Sequence, residues 1–343
     1  MGDEGDSLLS ASRTQRDCYA DTPTRRHASL TSRPSWRRLP MLHQIDALHL
    51  NAPNVICVAV LQAEDGALIM IDCGPETVFE NVVRELDQRG LGAKNVRHLL
   101  ATHIHLDHNG GAWRWQREFG TKVHVHPIGA PHLVDPGKLV SSATRIYGNR
   151  MGYLWGEIQP LPQDSVIVTA DHAKIQVSGL TLEVIETPGH AQHHNAFWWE
   201  PNRILFSGDV AGVAIGKGPI FPPCPPPDVN LELWRASLER IRALNPTQLF
   251  LTHFGLRQQP ELHLRELETR LTDWAAWMKD RMSEGKSEEE ILPEFRRFTE
   301  NQLVAGGATP ADLVAYEQAD PAAMSVTGLG RYWRKYHPDL VFS

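Results

Sequence analysis

Residues Thr102-His103-Ile104-His105-Leu106-Asp107-His108 crowd three imidazoles and a carboxylate into six positions, directly after the apolar run Val96-Arg97-His98-Leu99-Leu100-Ala101. The run predicts a buried strand, and Asn109-Gly110-Gly111 lets the chain turn into the next element. Imidazole and carboxylate are the donors that Zn²⁺ and similar borderline divalent ions take. The chain therefore has to fold so that a rigid element delivers several donors to one point.

Three further segments repeat the pattern of an apolar strand ending in His or Asp beside a small residue: Val184–His190, Leu205–Asp209 and Phe250–His253. Ligands at strand ends converge on one edge of a sheet, where loops carry function. Together the four segments offer His103, His105, Asp107, His108, His190, Asp209 and His253. A catalytic zinc needs three protein ligands and a water, so seven donors suit two ions with one carboxylate shared.

Between these segments the pattern predicts strands over Val55–Gln62 and Ala67–Ile71, a helix over Glu76–Arg89, a strand over Val96–Ala101, a short helix over Trp113–Phe119 and a strand over Lys122–His126. Residues 131–163 read as an insertion with Tyr147, Met151, Tyr153, Leu154 and Trp155 among Gly and Pro. Strands are expected again at Ser165–Val168, Ala173–Val177, Leu180–Glu186, Asn195–Trp199, Arg203–Phe206 and Gln248–Leu251, with an amphipathic helix over Leu231–Leu244. From about 258 onward only helices are expected: Glu261–Met282, Glu288–Asn301, Pro310–Gln318 and Leu329–Tyr336. The alternation argues an α/β fold with two layers of sheet between helices.

With 343 residues and 41% hydrophobic content the chain can bury a sizeable core. A net charge of −7 opposes a phosphate-tracking nucleic-acid binder. The longest apolar run, Val55 to Leu61, is too short to span a membrane. Cys18, Cys57, Cys73 and Cys224 suggest no disulfide framework, which points to a reducing, cytoplasmic setting. Residues 1–40, rich in Ser, Thr, Arg and Asp, are expected to be disordered, with Met41 as an alternative start. Residues 41–257 form the expected catalytic domain and 258–343 a helical C-terminal region.

From about Asn54 to Gly255 the chain resembles the metallo-β-lactamase superfamily, in the branch that holds hydroxyacylglutathione hydrolase (glyoxalase II) and the lactonases. The resemblance rests on H-x-H-x-D-H at 103–108, T-P-G-H at 187–190, S-G-D at 207–209 and T-H at 252–253. It implies an αββα sandwich with one metal on His103, His105 and His190, a second on Asp107, His108 and His253, and Asp209 bridging them. It places Asp72 and His194 in support of the ligands. Two divalent ions are implied, zinc first, with iron or manganese as alternatives. The implied activity is hydrolysis of a small ester, thioester or lactone by a metal-bridging hydroxide, with Asp107 and Asp209 as catalytic groups. A mononuclear iron persulfide dioxygenase and a non-catalytic binding module are the competing classes. The expected partner is a small molecule, without nucleic acid or membrane; the oligomeric state is open, a dimer included.

Other residues divide between two readings. Asp72 suits a turn before Gly74 as well as support of the histidines. Tyr147 and Trp155 suit plain packing as well as a roof over the site, and Phe221, in the proline-rich segment after Asp209, suits a stiffened connection as well as substrate contact. His124 and His126 read as ordinary strand residues, and His193 is left unassigned.

Overall fold

A computed structural model of the protein describes residues 40–340. The expected disorder bears on residues that lie outside this range, except for Pro40. The chain opens with β1 (Met41–Asp46), β2 (Cys57–Gln62), β3 (Leu68–Ile71), α1 (Phe79–Gln88), β4 (Val96–Leu100), α2 (Leu106–Asn109), α3 (Ala112–Phe119) and β5 (Lys122–Val125). It continues through α4 (Ala130–Val134), α5 (Gly137–Tyr147), α6 (Met151–Trp155) and β6 (Val166–Val168). These six strands form one sheet in the order β1-β2-β3-β4-β5-β6, antiparallel over β1–β3 and parallel from β3 to β6.

The second half contributes β7 (Lys174–Val177), β8 (Leu180–Glu186), β9 (Asn195–Trp199), β10 (Ile204–Gly208), α7 (Leu231–Ala243), β11 (Gln248–Leu251) and β12 (Gly255–Gln258). Its sheet runs β12-β11-β10-β9-β8-β7 and is antiparallel except between β10 and β11. The helices α8 (Pro260–Ser283), α9 (Glu288–Ala305), α10 (Pro310–Ala319) and α11 (Ala322–Tyr336) complete the fold.

Alternation along the strands explains the layering. Cys57, Ala59 and Leu61 from one sheet meet Leu182, Val184 and Phe206 from the other in a buried cluster between the sheets. The intervening Val58, Val60 and Leu99 face outward into a second core with Val82, Leu86 and Trp115 of the helices. On the far side Leu205 and Leu249 meet Trp234, Leu264 and Leu267. The result is the αββα sandwich expected from the sequence. Capping fixes two of the C-terminal helices: Ser287 with Glu290, and Thr309 with Asp312, each form a reciprocal capping box.

The structure adds elements that the sequence pattern does not give. The insertion at 131–163 holds α4, α5 and α6, and strands β1 and β12 extend the two sheets. Among the described residues no helix is long and apolar enough to cross a membrane.

Candidate metal centre

Strand ends deliver the donors. The chain leaving β4 carries His103 and His105, and the short α2 carries Asp107 and His108. His190 follows β8, Asp209 follows β10 and His253 follows β11. Their donor atoms gather in overlapping sets: His103, His105 and His190; His103, His108 and Asp209; Asp107, His108 and His253.

In the first set His105 Nδ1 lies 2.9 Å from His103 Nε2 and 3.1 Å from His190 Nε2. On the other side Asp209 Oδ1 lies 3.2 Å from His108 Nε2 and 3.6 Å from His253 Nε2. Asp107 Oδ2 is 3.6 Å and 3.5 Å from the same two nitrogens. Asp209 Oδ2 faces back to His190 Nε2 at 3.4 Å, so its two oxygens look toward different histidine groups. A tetrahedral ion with ligands at about 2.0–2.1 Å spaces neighbouring ligand atoms by about 3.3 Å. The observed separations cluster around that value.

Hydrogen bonds turn the ring nitrogens inward. His190 Nδ1 lies 2.8 Å from the Pro223 carbonyl and His253 Nδ1 2.6 Å from the Val55 carbonyl. A carbonyl only accepts, so both rings donate from Nδ1, which leaves Nε2 for an ion when the ring is neutral. His103 Nδ1 meets Thr102 Oγ1 at 3.0 Å and His108 Nδ1 meets Asp72 Oδ2 at 2.8 Å, with the same outcome. His108 Nε2, His253 Nε2 and Asp209 Oδ1 are buried and lack any hydrogen-bond partner. Buried polar atoms are nearly always partnered, so three orphans facing one another fit a cation-binding role.

Electrostatics separates the two sides. Burial, with neighbouring rings adding to it, holds His103 well below the ordinary histidine range; burial also lowers His105 to about 3 and holds His190 below its ordinary value. These rings are neutral, as ligation requires. Burial works against charge on His108 too, but Asp209, Asp107 and Asp72 outweigh it and raise His108 well above the usual value. Asp209 and Asp107 are held low against the effect of burial, His108 being the leading cause in each. This side demands positive charge.

Asp72 is fully buried and accepts five hydrogen bonds: from Thr102 N and Asn109 Nδ2 at Oδ1, and from Thr102 Oγ1, His108 Nδ1 and Thr252 Oγ1 at Oδ2. The structure thus gives it contact with a donor histidine, and it also ties the ends of β4 and β11 together. His194 donates from Nδ1 to Thr187 Oγ1 at 2.8 Å and accepts from Asp209 N at Nε2, 3.2 Å away. Gly208, at φ +50°, packs its Cα so closely that a Cβ would sit 2.7 Å from both His194 Nε2 and Thr102 Oγ1. Only glycine lets the chain pass that point and present Asp209.

The donors open onto a cavity of about 400 Å³, lined by His105, Asp107, His190 and Asp209 at one end. Tyr147 and Trp155 line it as well. Trp155 stacks on His49 with ring centroids 5.6 Å apart, and the Tyr147 hydroxyl lies 3.8 Å from Met324 Sδ. Phe221 does not line it. Its ring is buried against Trp274 and Tyr316, at centroid distances of 4.7 Å and 5.2 Å, so it is a packing residue beneath the C-terminal helices.

Sequence reasoning left out several residues that the structure brings in. His193 lines the cavity, its ring 5.6 Å from that of His105 and its Nδ1 buried without a partner. Thr102, Thr187 and Thr252 supply the hydroxyls around Asp72 and His194. A signal for them was present: Thr immediately precedes His103 and His253, and opens the segment ending at His190.

An αββα sandwich with His and Asp donors at its strand ends defines a class of metal-binding proteins, and comparison with known proteins gives the family. Residues 52–253 match the family model described as the Metallo-beta-lactamase superfamily, and the chain belongs to that superfamily. The metallo-beta-lactamase fold-containing protein ST1585 of Sulfurisphaera tokodaii is 29% identical over 234 residues, covering 66% of this chain and 84% of that protein. The crystal structure of that archaeal protein superposes with a TM-score of 0.56 at 28% identity, over 67% of this chain and 86% of that one. A hydroxyacylglutathione hydrolase of Hyphomonas neptunium is 27% identical over 221 residues, 62% of this chain and 68% of that enzyme. The Thermus thermophilus family protein TTHA1429, at 20% identity and a TM-score of 0.59, covers 86% of this chain and 93% of its own and shares the fold.

Proposed function

We propose that the protein is a dinuclear metal-dependent hydrolase of small ester, thioester or lactone substrates. The observation that carries this reading is the set of buried, unpartnered atoms His108 Nε2, His253 Nε2 and Asp209 Oδ1 beside the neutral trio His103, His105 and His190. A second donor set beside the first, with His108 and His253 buried and Asp107 reaching the cavity, favours a second ion. His103, His105 and His190 would hold one divalent ion, Asp107, His108 and His253 the other, with Asp209 between them. Two such ions would supply polarisation of a carbonyl and a water acidified toward neutrality. Zinc is the first expectation from the donor set, with iron or manganese as alternatives.

The chain's own residues supply the rest. Asp107 is the most exposed of the carboxylates here, with 24% of its side chain accessible, and it lines the cavity. A carboxylate there can orient a water or take up a proton during attack. Leu139, Ala143 and Ile146 line the same cavity and offer an apolar surface to an acyl chain. The hydrolases among the relatives act on a thioester of the kind their name states, hydroxyacylglutathione, which supports the carbonyl class. The acidic net charge favours a small-molecule substrate over nucleic acid. The described cysteines, Cys57, Cys73 and Cys224, are unpaired and buried, in keeping with a reducing cytoplasm.

Metal analysis of protein purified without chelator, followed by ester, thioester and lactone panels, tests the reading. Two ions per chain and carbonyl hydrolysis are expected; Asp209→Ala should lose at least about a hundredfold in turnover, the scale of removing one preorganised charge, and also lose bound metal. A single iron, with oxygen consumed on glutathione persulfide, would replace the hydrolase by a dioxygenase. Full metal loading without any turnover would leave a binding module.

A further inference from the structure

His193 stands on the turn between β8 and β9, and both of its flanks are pinned. His190, three residues before it, is held by the Pro223 carbonyl, and His194, next after it, bonds through backbone and ring to Thr187. Asn195 N then donates to the Thr102 carbonyl at 2.7 Å, just past the end of β4. This places the His193 ring among the donors of the metal centre. It stacks on His103, with centroids 6.2 Å apart and 13° between the planes, and meets His105 edge-on at 5.6 Å.

The side chain has unfinished hydrogen bonding. His193 is 8% exposed and lines the cavity that reaches Asp107 and Asp209. Its Nδ1 is enclosed and has no partner. Its Nε2 makes no hydrogen bond within the described residues and is not enclosed, so Nε2 is the ring nitrogen with open surface on the cavity. A buried N–H without an acceptor is rarer than a buried acceptor left bare. The ring proton therefore belongs on Nε2 and not on Nδ1. His193 offers the cavity one donor that the chain itself does not receive.

Position decides what that donor serves. It stands beside His103, His105 and His190, whereas Asp107 belongs to the other donor set, its Oδ2 3.6 Å from His108 Nε2 and 3.5 Å from His253 Nε2. When a nucleophilic oxygen adds to an acyl carbon, the carbonyl π pair moves onto the acyl oxygen, which becomes the negative atom. When that pair returns, the leaving oxygen or sulfur departs with its bonding pair. Negative charge on the acyl oxygen is disfavoured beside a carboxylate and favoured beside a fixed N–H, which keeps its proton throughout.

We propose that His193 Nε2–H donates to the acyl oxygen during this attack, which makes His193 a further catalytic residue of the centre. The proposal deepens the hydrolase reading and rests on it for the reaction.

The test compares His193→Gln, whose amide still donates near the place of Nε2, with His193→Leu. The probe is methyl hexylphosphonate, a tetrahedral monoanion with the shape and charge of an attacked ester that does not react. Isothermal titration of zinc-loaded protein reads its affinity. His193→Leu should bind it about 10- to 100-fold more weakly than the wild type, the scale of a hydrogen bond to a charged group, and His193→Gln should stay close to the wild type. Zinc affinity, from competitive titration, should be unchanged in both. With an ester that the wild type hydrolyses, His193→Leu should lose about a hundredfold in kcat with KM little changed, the scale of one oxyanion donor. NMR of protein carrying isotope-labelled histidine supplies a readout that needs no Leu variant. The His193 signals, assigned by their loss in His193→Gln, should show the proton on Nε2 and its downfield shift when the phosphonate binds.

Unchanged phosphonate affinity in His193→Leu overturns the proposal. So does a parallel loss of zinc affinity, because the ring would then only pack on His103 and His105. A proton found on Nδ1, or an Nε2 proton that ignores the phosphonate, overturns it too. Ester hydrolysis with phosphonate binding blind to His193 removes this inference and leaves the hydrolase. Phosphonate binding that depends on His193, with no ester, thioester or lactone turned over, removes the hydrolase and leaves the His193 donor in place.

Discussion

Asp72 supports the centre without being one of the clustered donors. Its carboxylate receives His108 Nδ1, which fixes that ring with Nε2 toward Asp209, and it receives Thr102, Asn109 and Thr252 from three other points of the chain. Removing it in Asp72→Ala leaves several buried donors unsatisfied, each worth about 1–3 kcal/mol. We expect a loss of about 3 kcal/mol in unfolding free energy and a 10- to 100-fold weaker affinity for zinc, about the scale of losing an outer partner of a ligating histidine. Urea unfolding and a competitive zinc titration measure the two. Wild-type zinc affinity in this variant would mean that the His108 contact does nothing for the metal. The donors themselves were legible in the sequence because imidazoles and carboxylates stand next to strand ends, a local pattern. The role of His193 was not, since only the tertiary fold encloses its Nδ1 and leaves Nε2 open on the cavity.

Elements were legible where one face is clearly apolar. Leu180–Glu186, Asn195–Trp199 and Gln248–Leu251 coincide with β8, β9 and β11. Helix α5 was hidden because Gly137-Lys138-Leu139-Val140-Ser141-Ser142 mixes small, polar and apolar residues, and only Ala143 in it is fully buried. Edge strand β1 keeps just Ile45 fully buried over its length, which weakens its alternation. Phe221 was read only by its nearness to Asp209 in sequence. Its actual neighbours, Trp274 and Tyr316, come from α8 and α10 more than fifty residues on. The same long-range docking makes α11 part of the site's support. Gly328 meets the proline segment so closely that a Cβ there would fall 1.9 Å from the Cys224 carbonyl oxygen. Gly328→Ala should therefore push α11 and the segment apart, at about 1–3 kcal/mol for overpacking. Because Pro223 O orients His190, the expected signature is a loss of zinc affinity together with the lowered melting temperature. A variant that melts lower yet binds zinc as before would uncouple α11 from the centre.

Across the whole molecule, buried histidines lie in the core as well as in the site. His124 on β5 and His263 on α8 are both 6% exposed, and burial lowers each to about 4. His124 pairs with His98 at 2.9 Å, and His263 Nε2 donates to the Ala211 carbonyl, two residues beyond Asp209, at 2.8 Å. In the unfolded chain both titrate near 6.5. Below that value the unfolded state binds protons that the folded state refuses, so unfolding free energy rises with pH across the window from about 4 to 6.5. The stability is fully present above 6.5 and is lost as pH falls through the window, by about 2 kcal/mol for each ring at pH 5. Protonation of the ligand histidines drains stability over the same range, so the wild type alone does not isolate the effect. His263→Gln does, because the amide still donates to Ala211 and no longer titrates. With zinc held saturating, urea unfolding at pH 7.5 and pH 5 should show a drop smaller by about 2 kcal/mol in the variant than in the wild type. Equal drops would mean that His263 takes up its proton as readily in the folded protein as in the unfolded chain, against the burial that lowers it.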